Sequence, residues 1–395
     1  MSYKRVYLNP KKEESLKRFH PWIFSGAIHH TDEALEEGEI VEVYDSQNNY
    51  LATGHCQIGS IAVRILTFKQ ELINSNFWKQ RIENAFLLRK QLGLIDNPDN
   101  TIYRLIHGEG DNLSGLIIDI YGNTAVMQAH SPGMHLARHE IAEALVELPR
   151  KFIKNIYYKS EETLPYKAEL EAEDGYLYGG TDIPDFVTEN GLKFKIDWVK
   201  GQKTGFFIDQ RNNRELLEKY AENRKVLNLF SYTGSFSAYA MRGKAGLVHS
   251  VDSSSKAIDL TKENIKLNFP DDNRHQAFAD DAFRYLEKTN HLYDLIILDP
   301  PAFAKHRKVM RNALQGYKKL NALAFEKIQP QGIIFTFSCS QVVSKEDFRL
   351  TVFSAAAQSK RNVKILHQLS QQSDHPINIY HPEGEYIKGM VLAVE

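Results

Sequence analysis

The sequence predicts an α/β protein: a C-terminal doubly wound sheet, preceded by a small β-rich domain and an α+β segment. Three observations predict it. Beyond about residue 190, short apolar runs alternate with amphipathic stretches, the pattern of parallel strands buried on both faces. Residues 1 to about 72 instead read as short alternating segments such as "EIVEVYDSQNNYLATGHC" and "SIAVRILTF", the pattern of half-buried strands. The third is the stretch "YDLIILDPPAFAKHRK", residues 293–308, in which an apolar run stops at Asp299-Pro300-Pro301. Proline has no donor for a sheet ladder, so the strand must end there and present a carboxylate at its edge.

The elements follow in order. After the β-rich residues 1–72, "NFWKQRIENAFLLRKQLGL" places Phe77, Ile82, Phe86, Leu87 and Leu92 near helical spacing, which predicts an amphipathic helix. From about 102 to 190 the pattern then mixes strands ("SGLIIDIYG", "TAVMQAHS") with one helix, "HLARHEIAEALVEL". From 191 to 395, apolar runs at 226–230, 247–251, 294–298 and 332–337 predict strands, and "SSKAIDLTKENIKLNF" and "NALQGYKKLNALAFEKI" predict helices between them. "NVKILHQL" and "GMVLAV" add two closing strands. No internal repeat or low-complexity linker interrupts the chain.

Length and composition bound the class. A chain of 395 residues exceeds one ordinary core, so two or three domains are expected. Hydrophobic residues make up 42% and charged residues 25%, as in soluble globular proteins. No apolar stretch is long enough to span a bilayer and the first twenty residues contain no signal core, so a cytoplasmic location without membrane attachment is expected. With only Cys56 and Cys339, neither a disulfide framework nor a cysteine-based metal site is expected, and any thiol chemistry must use one sulfur. The net charge of −1 argues against a uniformly basic coat for nucleic acid. Three basic clusters remain: residues 4–18, Lys79 to Lys90, and Lys305 to Arg311. The first two read as solvated faces; the third follows Asp299-Pro300-Pro301 directly.

In open α/β sheets ligands sit beyond the carboxyl ends of the strands, so those ends predict the site. The first gives "VLNLFSYTGSFSAYA", in which Phe230, Ser231, Tyr232, Thr233, Gly234 and Ser235 form a turn with one glycine before a helix. The second ends at Asp252-Ser253, an acidic position suited to ribose hydroxyls. The third ends at Asp280-Asp281-Ala282, suited to an adenine amino group. A dinucleotide would require three closely spaced glycines to cradle its pyrophosphate, and no such G-x-G-x-x-G exists. S-adenosylmethionine carries adenosine without a phosphate and is the better match. The plainer alternative is that Asp252 and Asp281 are helix N-caps, as "DSSSK" and "DDAFR" permit.

Asp299 ends the next strand, where a substrate base would meet the methyl donor. Its carboxylate suits the ring nitrogen and amino edge of that base; Pro300 and Pro301 stiffen the loop, and Phe303 offers a stacking face. A rigid turn with a solvated carboxylate is the alternative. The following strand ends in "FTFSCSQ". Cys56 reads as a buried small hydrophobe, whereas Cys339 stands at a strand end beside the Asp299 strand. Carbon 5 of a pyrimidine is a poor nucleophile until a thiolate adds to carbon 6, which needs one cysteine and one acid near the ring nitrogen. Cys339 and Asp299 supply both.

The segments "NLFSYTGSFS", "VDSS", "DDAF", "LDPPAF" and "FTFSCS" closely resemble the RlmI-type ribosomal RNA large-subunit methyltransferases, which form 5-methylcytosine. Outside them, "HPWIFSGAI", "YRLIHGEGDNLSGLIIDIYG" and "GQKTGFFIDQRNNR" are similar to the same family, so the resemblance covers essentially the full chain. It implies a PUA-like RNA-binding domain over 1–72, a central α+β domain over 73–190 and a Rossmann-like methyltransferase domain over 191–395. It also implies S-adenosylmethionine held by residues 230–235 at its methionine end, by Asp252 and Ser253 on the ribose, and by Asp280, Asp281 and Ala282 on adenine. Gln210 and Arg211 would stand near the cofactor or substrate entrance, with Asp299 close to the cofactor. Cys339 would be the nucleophile and Asp299 its acidic partner, with Pro300, Pro301, Phe303 and Lys305 on the substrate side. The implied partner is large-subunit ribosomal RNA, with no metal and no membrane; a homodimer is compatible with it. Two departures stand out. Two-cysteine relatives read Asp-Ala-Pro-Cys at the Asp299 strand, where this chain has Ala302, which leaves the base for the carbon 5 proton unassigned. In the central domain Ser114 replaces the proline of Leu-Pro-Gly-Leu, an expected cost of one rigid turn.

Three rival readings are weighed against this one. A guanine methyltransferase shares the Asp-Pro-Pro-x-Phe motif but needs no Cys339. A nicotinamide oxidoreductase lacks its glycines, and a non-catalytic RNA-binding protein would not need intact acidic strand ends.

Overall fold

The computed structural model describes residues 3–165, 170, 173–304 and 306–395. The chain divides into two compact units: residues 1–188 with 196–208 and 373–384, and residues 189–195 with 209–372 and 385–395.

The first unit contains two sheets. Six short strands form one, in the order Trp22–Phe24, Ile61–Thr67, Tyr50–Cys56, Ile40–Tyr44, Lys4–Leu8 and Ile28–Thr31. Alternate residues such as Val6, Leu8, Val41 and Val43 are fully buried, as the period-2 pattern requires. Five strands form the other, running Gly175–Tyr178, Asn155–Tyr158, Thr124–Ala129, Leu116–Tyr121 and Ile102–His107. Against it packs the helix Ser75–Gln91, capped by Asn74, whose side chain accepts from the Phe77 amide. Its buried stripe is Phe77, Trp78, Ile82, Ala85, Phe86 and Arg89, whereas Leu87 and Leu92, expected on that face, are exposed. The stripe turns toward Trp78 because its indole N–H donates to Glu140 at 2.7 Å and so lies at no polar cost in the core.

Two sequence readings change in this unit. The Lys79–Lys90 cluster is not a single solvated face. Arg89 is fully buried, forms a two-pronged pair with Asp111 (2.5 and 2.8 Å) and donates to the Arg104 and Asp374 carbonyls. Arg81 donates to the Leu66 carbonyl, and Lys79 forms a surface pair with Glu147. Ser114 does more than replace a turn proline. Its hydroxyl, 1% exposed, donates to Glu109 (2.6 Å) and accepts from the Trp22 indole and Arg64 (3.2 and 3.3 Å). A proline would leave that partly buried carboxylate short of a donor.

The second unit carries one seven-stranded sheet. Its strands in chain order are β1 (Lys225–Leu229), β2 (Leu247–Asp252), β3 (His275–Ala279), β4 (Tyr293–Leu298), β5 (Ile328–Ser338), β6 (Val363–Leu369) and β7 (Lys388–Val394). Its helices are α1 (Arg211–Glu218), α2 (Ser235–Arg242), α3 (Ser255–Asn268), α4 (Ala282–Lys288), α5 (Met310–Lys327) and α6 (Lys345–Gln358). The spatial order is β3-β2-β1-β4-β5-β7-β6; β1 to β5 are parallel, and β7 inserts antiparallel between β5 and β6. Thus the last hairpin departs from the all-parallel expectation. Helices α1, α2 and α3 pack in series, as do α4, α5 and α6, giving two helical layers. Leu227, Leu229, Ile296, Leu298, Ile334 and Leu392 lie in the core, each at most 1% exposed. Because the order reverses between β1 and β4, the crevice opens at their carboxyl ends.

Candidate active site at the carboxyl ends of the sheet

The register brings the strand ends level. Leu229 pairs with Val251 on one side and Leu298 on the other, so Phe230, Asp252 and Asp299 leave the sheet in one row. Leu298 also pairs with Thr336, which puts Cys339 two residues above that row on the next strand. Residues more than a hundred positions apart therefore meet at one edge.

The loop after β1 is strained. Phe230 and Tyr232 adopt positive φ (58° and 46°), as does Gly234 (75°). Such non-glycine residues cost on the order of 1–3 kcal/mol each and cluster at functional sites. Asp252 holds the loop: its carboxylate accepts from the Tyr232 amide and the Ser254 amide, both at 2.9 Å. It is not the cap of α3, which is Ser254. Each carboxylate oxygen keeps a lone pair for a hydroxyl group. Ser231 is buried, and its hydroxyl has no hydrogen-bond partner among the described residues. A buried hydroxyl at a strand end, beside a carboxylate held by amides, suits a polar, phosphate-free cofactor such as S-adenosylmethionine. Gly234 has a further reason: a Cβ there would lie 2.6 Å from the Thr261 methyl, so glycine is required by packing on α3 as well.

Asp281 realises the capping alternative, since its carboxylate accepts from the Arg284 amide and starts α4. The Arg284 guanidinium pairs with Asp280 and holds its carboxyl below the usual range. Both side chains thus serve the first turn of α4, next to buried Ala282; Ser253 is exposed.

On the reacting side, Asp299 is half-buried and its Oδ2 accepts from the Gln210 amide at 3.1 Å. Gln210 is in turn fixed by Asn213, which donates to its Oε1 at 2.6 Å. Arg211 is buried beside Glu189, at 3.5 Å, with Arg214 on the same carboxylate. Pro300 is buried and Pro301 exposed. Phe303 is partly buried and packs on Tyr317, ring centroids 4.6 Å apart, over Gly316 of α5. Arg307, Lys308 and Arg311 are exposed nearby, whereas Lys305 lies outside the described residues.

Cys339 is partly exposed and its sulfur lies 3.7 Å from the Pro300 carbonyl, which accepts the thiol proton. The β4 and β5 loops are thus joined. Ser340 reinforces the join by accepting from the Ala304 amide (3.2 Å) and meeting the Tyr317 hydroxyl (2.9 Å). Cys56, by contrast, is buried in the six-stranded sheet, where burial pushes its thiol up to about 11. The sequence reading missed Asn213, Tyr317 and Lys388. A lysine heading the apolar run "KGMVLAV" was the available signal for the last.

Comparison with known proteins agrees with this geometry. A sequence model described as S-adenosylmethionine-dependent methyltransferase matches residues 172–377, and one described as PUA-like domain matches residues 6–68. Ribosomal RNA large subunit methyltransferase I of Tolumonas auensis is 39% identical over 394 residues, covering 98% of both chains. The protein of that name from Alteromonas mediterranea is 38% identical over 395 residues, covering 99% of this chain and 98% of its own. A solved methyltransferase structure complexed with SAH has a TM-score of 0.84 at 25% identity over the full length of both chains. A SAM-dependent methyltransferase structure from Streptococcus mutans, with the same score at 23% identity, shares the fold. No helix among the described residues is long and apolar enough to cross a membrane. With its sheet order, its strand-end site and these relatives, the chain belongs to the ribosomal RNA large subunit methyltransferase I family, and S-adenosylmethionine is its cofactor.

Proposed function

We propose that the enzyme methylates carbon 5 of a cytosine in large-subunit ribosomal RNA, with Cys339 as the nucleophile. The observation that carries this reading is the placement of a partly exposed thiol against the Asp299-Pro300 loop, at the carboxyl edge of adjacent parallel strands. When bound, S-adenosylmethionine supplies an electrophilic methyl group. The residues of this chain prepare the base. The Cys339 thiolate adds to carbon 6, and the displaced electron pair makes carbon 5 nucleophilic. Gln210 holds one oxygen of Asp299, and the carboxyl group is proposed to face the ring nitrogen, where its proton offsets the developing charge. Residues 1–72 are proposed to hold RNA through a PUA-like domain, with 73–190 as the central domain and 191–395 as the catalytic one. Mass spectrometry of ribosomal RNA from a deletion strain, with and without the gene restored, tests the reading: one large-subunit 5-methylcytosine should vanish and return. Loss of a methylguanine instead would overturn it.

The cofactor side has its own test. Asp252→Ala removes a carboxylate proposed to accept from two ribose hydroxyls, each such bond contributing about 1.5–3 kcal/mol. A loss of roughly tenfold to several-hundredfold in S-adenosylmethionine affinity is expected by calorimetry. Unchanged affinity in the folded variant would remove Asp252 from the site.

A further inference from the structure

Lys388 begins β7 opposite Ser338 and is 5% exposed. Its Nζ donates to the Ser340 carbonyl at 2.7 Å, which holds it beside the residue following Cys339. Among the described residues no carboxylate bonds to it. Glu385, three residues earlier, is paired with Lys345 at 2.5 Å. An isolated buried amine is expensive unless a nearby negative charge offsets it. The neighbouring group able to become one is Cys339.

Resting on the proposed cysteine chemistry, we infer that Lys388 is the proton acceptor and counter-ion of Cys339, a positioning residue that keeps the nucleophile as a thiolate. The S–H proton passes to Nζ while the electron pair stays on sulfur. When the carbon 6–sulfur bond later breaks, the thiolate returns to the same ammonium. Burial pulls the Lys388 amine down to about 8, while Cys339 and Glu385 raise it and Lys345 lowers it. A lowered amine and a cysteine thiol can share one proton between them when they face each other. Tyr317, held to Ser340 by its hydroxyl, also interacts with Cys339, and Asp299, bonded to Gln210, stands one residue before the Pro300 whose carbonyl meets the sulfur.

The test is the pH dependence of Cys339 alkylation by iodoacetamide in the full-length Cys56→Ala protein, in which Cys339 is the sole thiol. With Lys388 intact, the rate should reach half its plateau below the ordinary cysteine value of about 8.5. Lys388→Met should move that midpoint up by at least about one unit and slow alkylation near pH 7 roughly tenfold, because an opposite charge within about 4–6 Å is worth about 1–3 units. Lys388→Arg should restore much of the shift, since it keeps the charge. A midpoint at or above about 8.5 with Lys388 intact overturns the inference without relying on any Lys388 variant, as does an unchanged profile in folded Lys388→Met. The two ideas fail separately. A fully active Cys339→Ala enzyme would sink the nucleophile while leaving the pair, whereas an ordinary thiol midpoint would sink the pair while leaving the nucleophile.

Discussion

Cys339→Ala is expected to lower methyl transfer by on the order of 10³-fold or more while leaving S-adenosylmethionine affinity near normal, since loss of a covalent nucleophile removes the whole low-barrier route. Cofactor binding should persist because the β1 and β2 loops are held by Asp252 and Thr261, neither of which touches Cys339. Serine should rescue little, because its hydroxyl stays protonated where a thiol can ionise. RNA carrying 5-fluorocytosine at the target should form a stable adduct with the enzyme, since fluorine cannot leave as a proton does. That adduct should require both the methyl donor and Cys339, and gel mobility with peptide mass mapping reads it directly. Full activity of Cys339→Ala would shift the assignment to guanine methylation.

The largest expected effect on stability belongs to Glu189→Ala. Glu189 is fully buried and accepts from Arg214 through both oxygens (2.8 and 2.7 Å) and from the Tyr239 hydroxyl (3.0 Å), with Arg211 also on it. Removal leaves two buried guanidinium groups without their shared carboxylate. Breaking one such pair costs about 3–5 kcal/mol. For a unit of this size that corresponds to a fall in melting temperature of roughly 6–20 °C. Because Arg211 and Arg214 stand on α1 with Asn213, next to Gln210, the support of Asp299 should loosen too, and activity should fall even below the new melting point. Thermal melts followed by circular dichroism measure the first effect. An unchanged melting temperature would show that Glu189 contributes nothing net.

The sequence alone determined the alternation of strands and helices in the second unit, and with it the strand ends that make up the candidate site. A strand covered on both faces must be apolar along its length, so its end is visible wherever polar residues or prolines begin. That is why Phe230 to Ser235, Asp252, Asp299 and Cys339 were all legible, and why the parallel order could be inferred from the spacing of helices between them. The partners of polar side chains were not legible, because periodicity reports which face is buried and not what adjoins it. Arg89 meets Asp374 across 285 positions, and Trp22 meets Ser114 across 92. Arg211 sits one position from Gln210, yet one turns to Glu189 and the other to Asp299, a difference set by helix geometry and the packing on either side. Nor did the sequence show that Tyr317 and Gly316 of α5 pack against the Phe303 ring. Lys388 depends most on topology. Only the antiparallel insertion of β7 beside β5 carries that amine to Ser340, 48 residues away in the chain, and so to the edge where Cys339 stands.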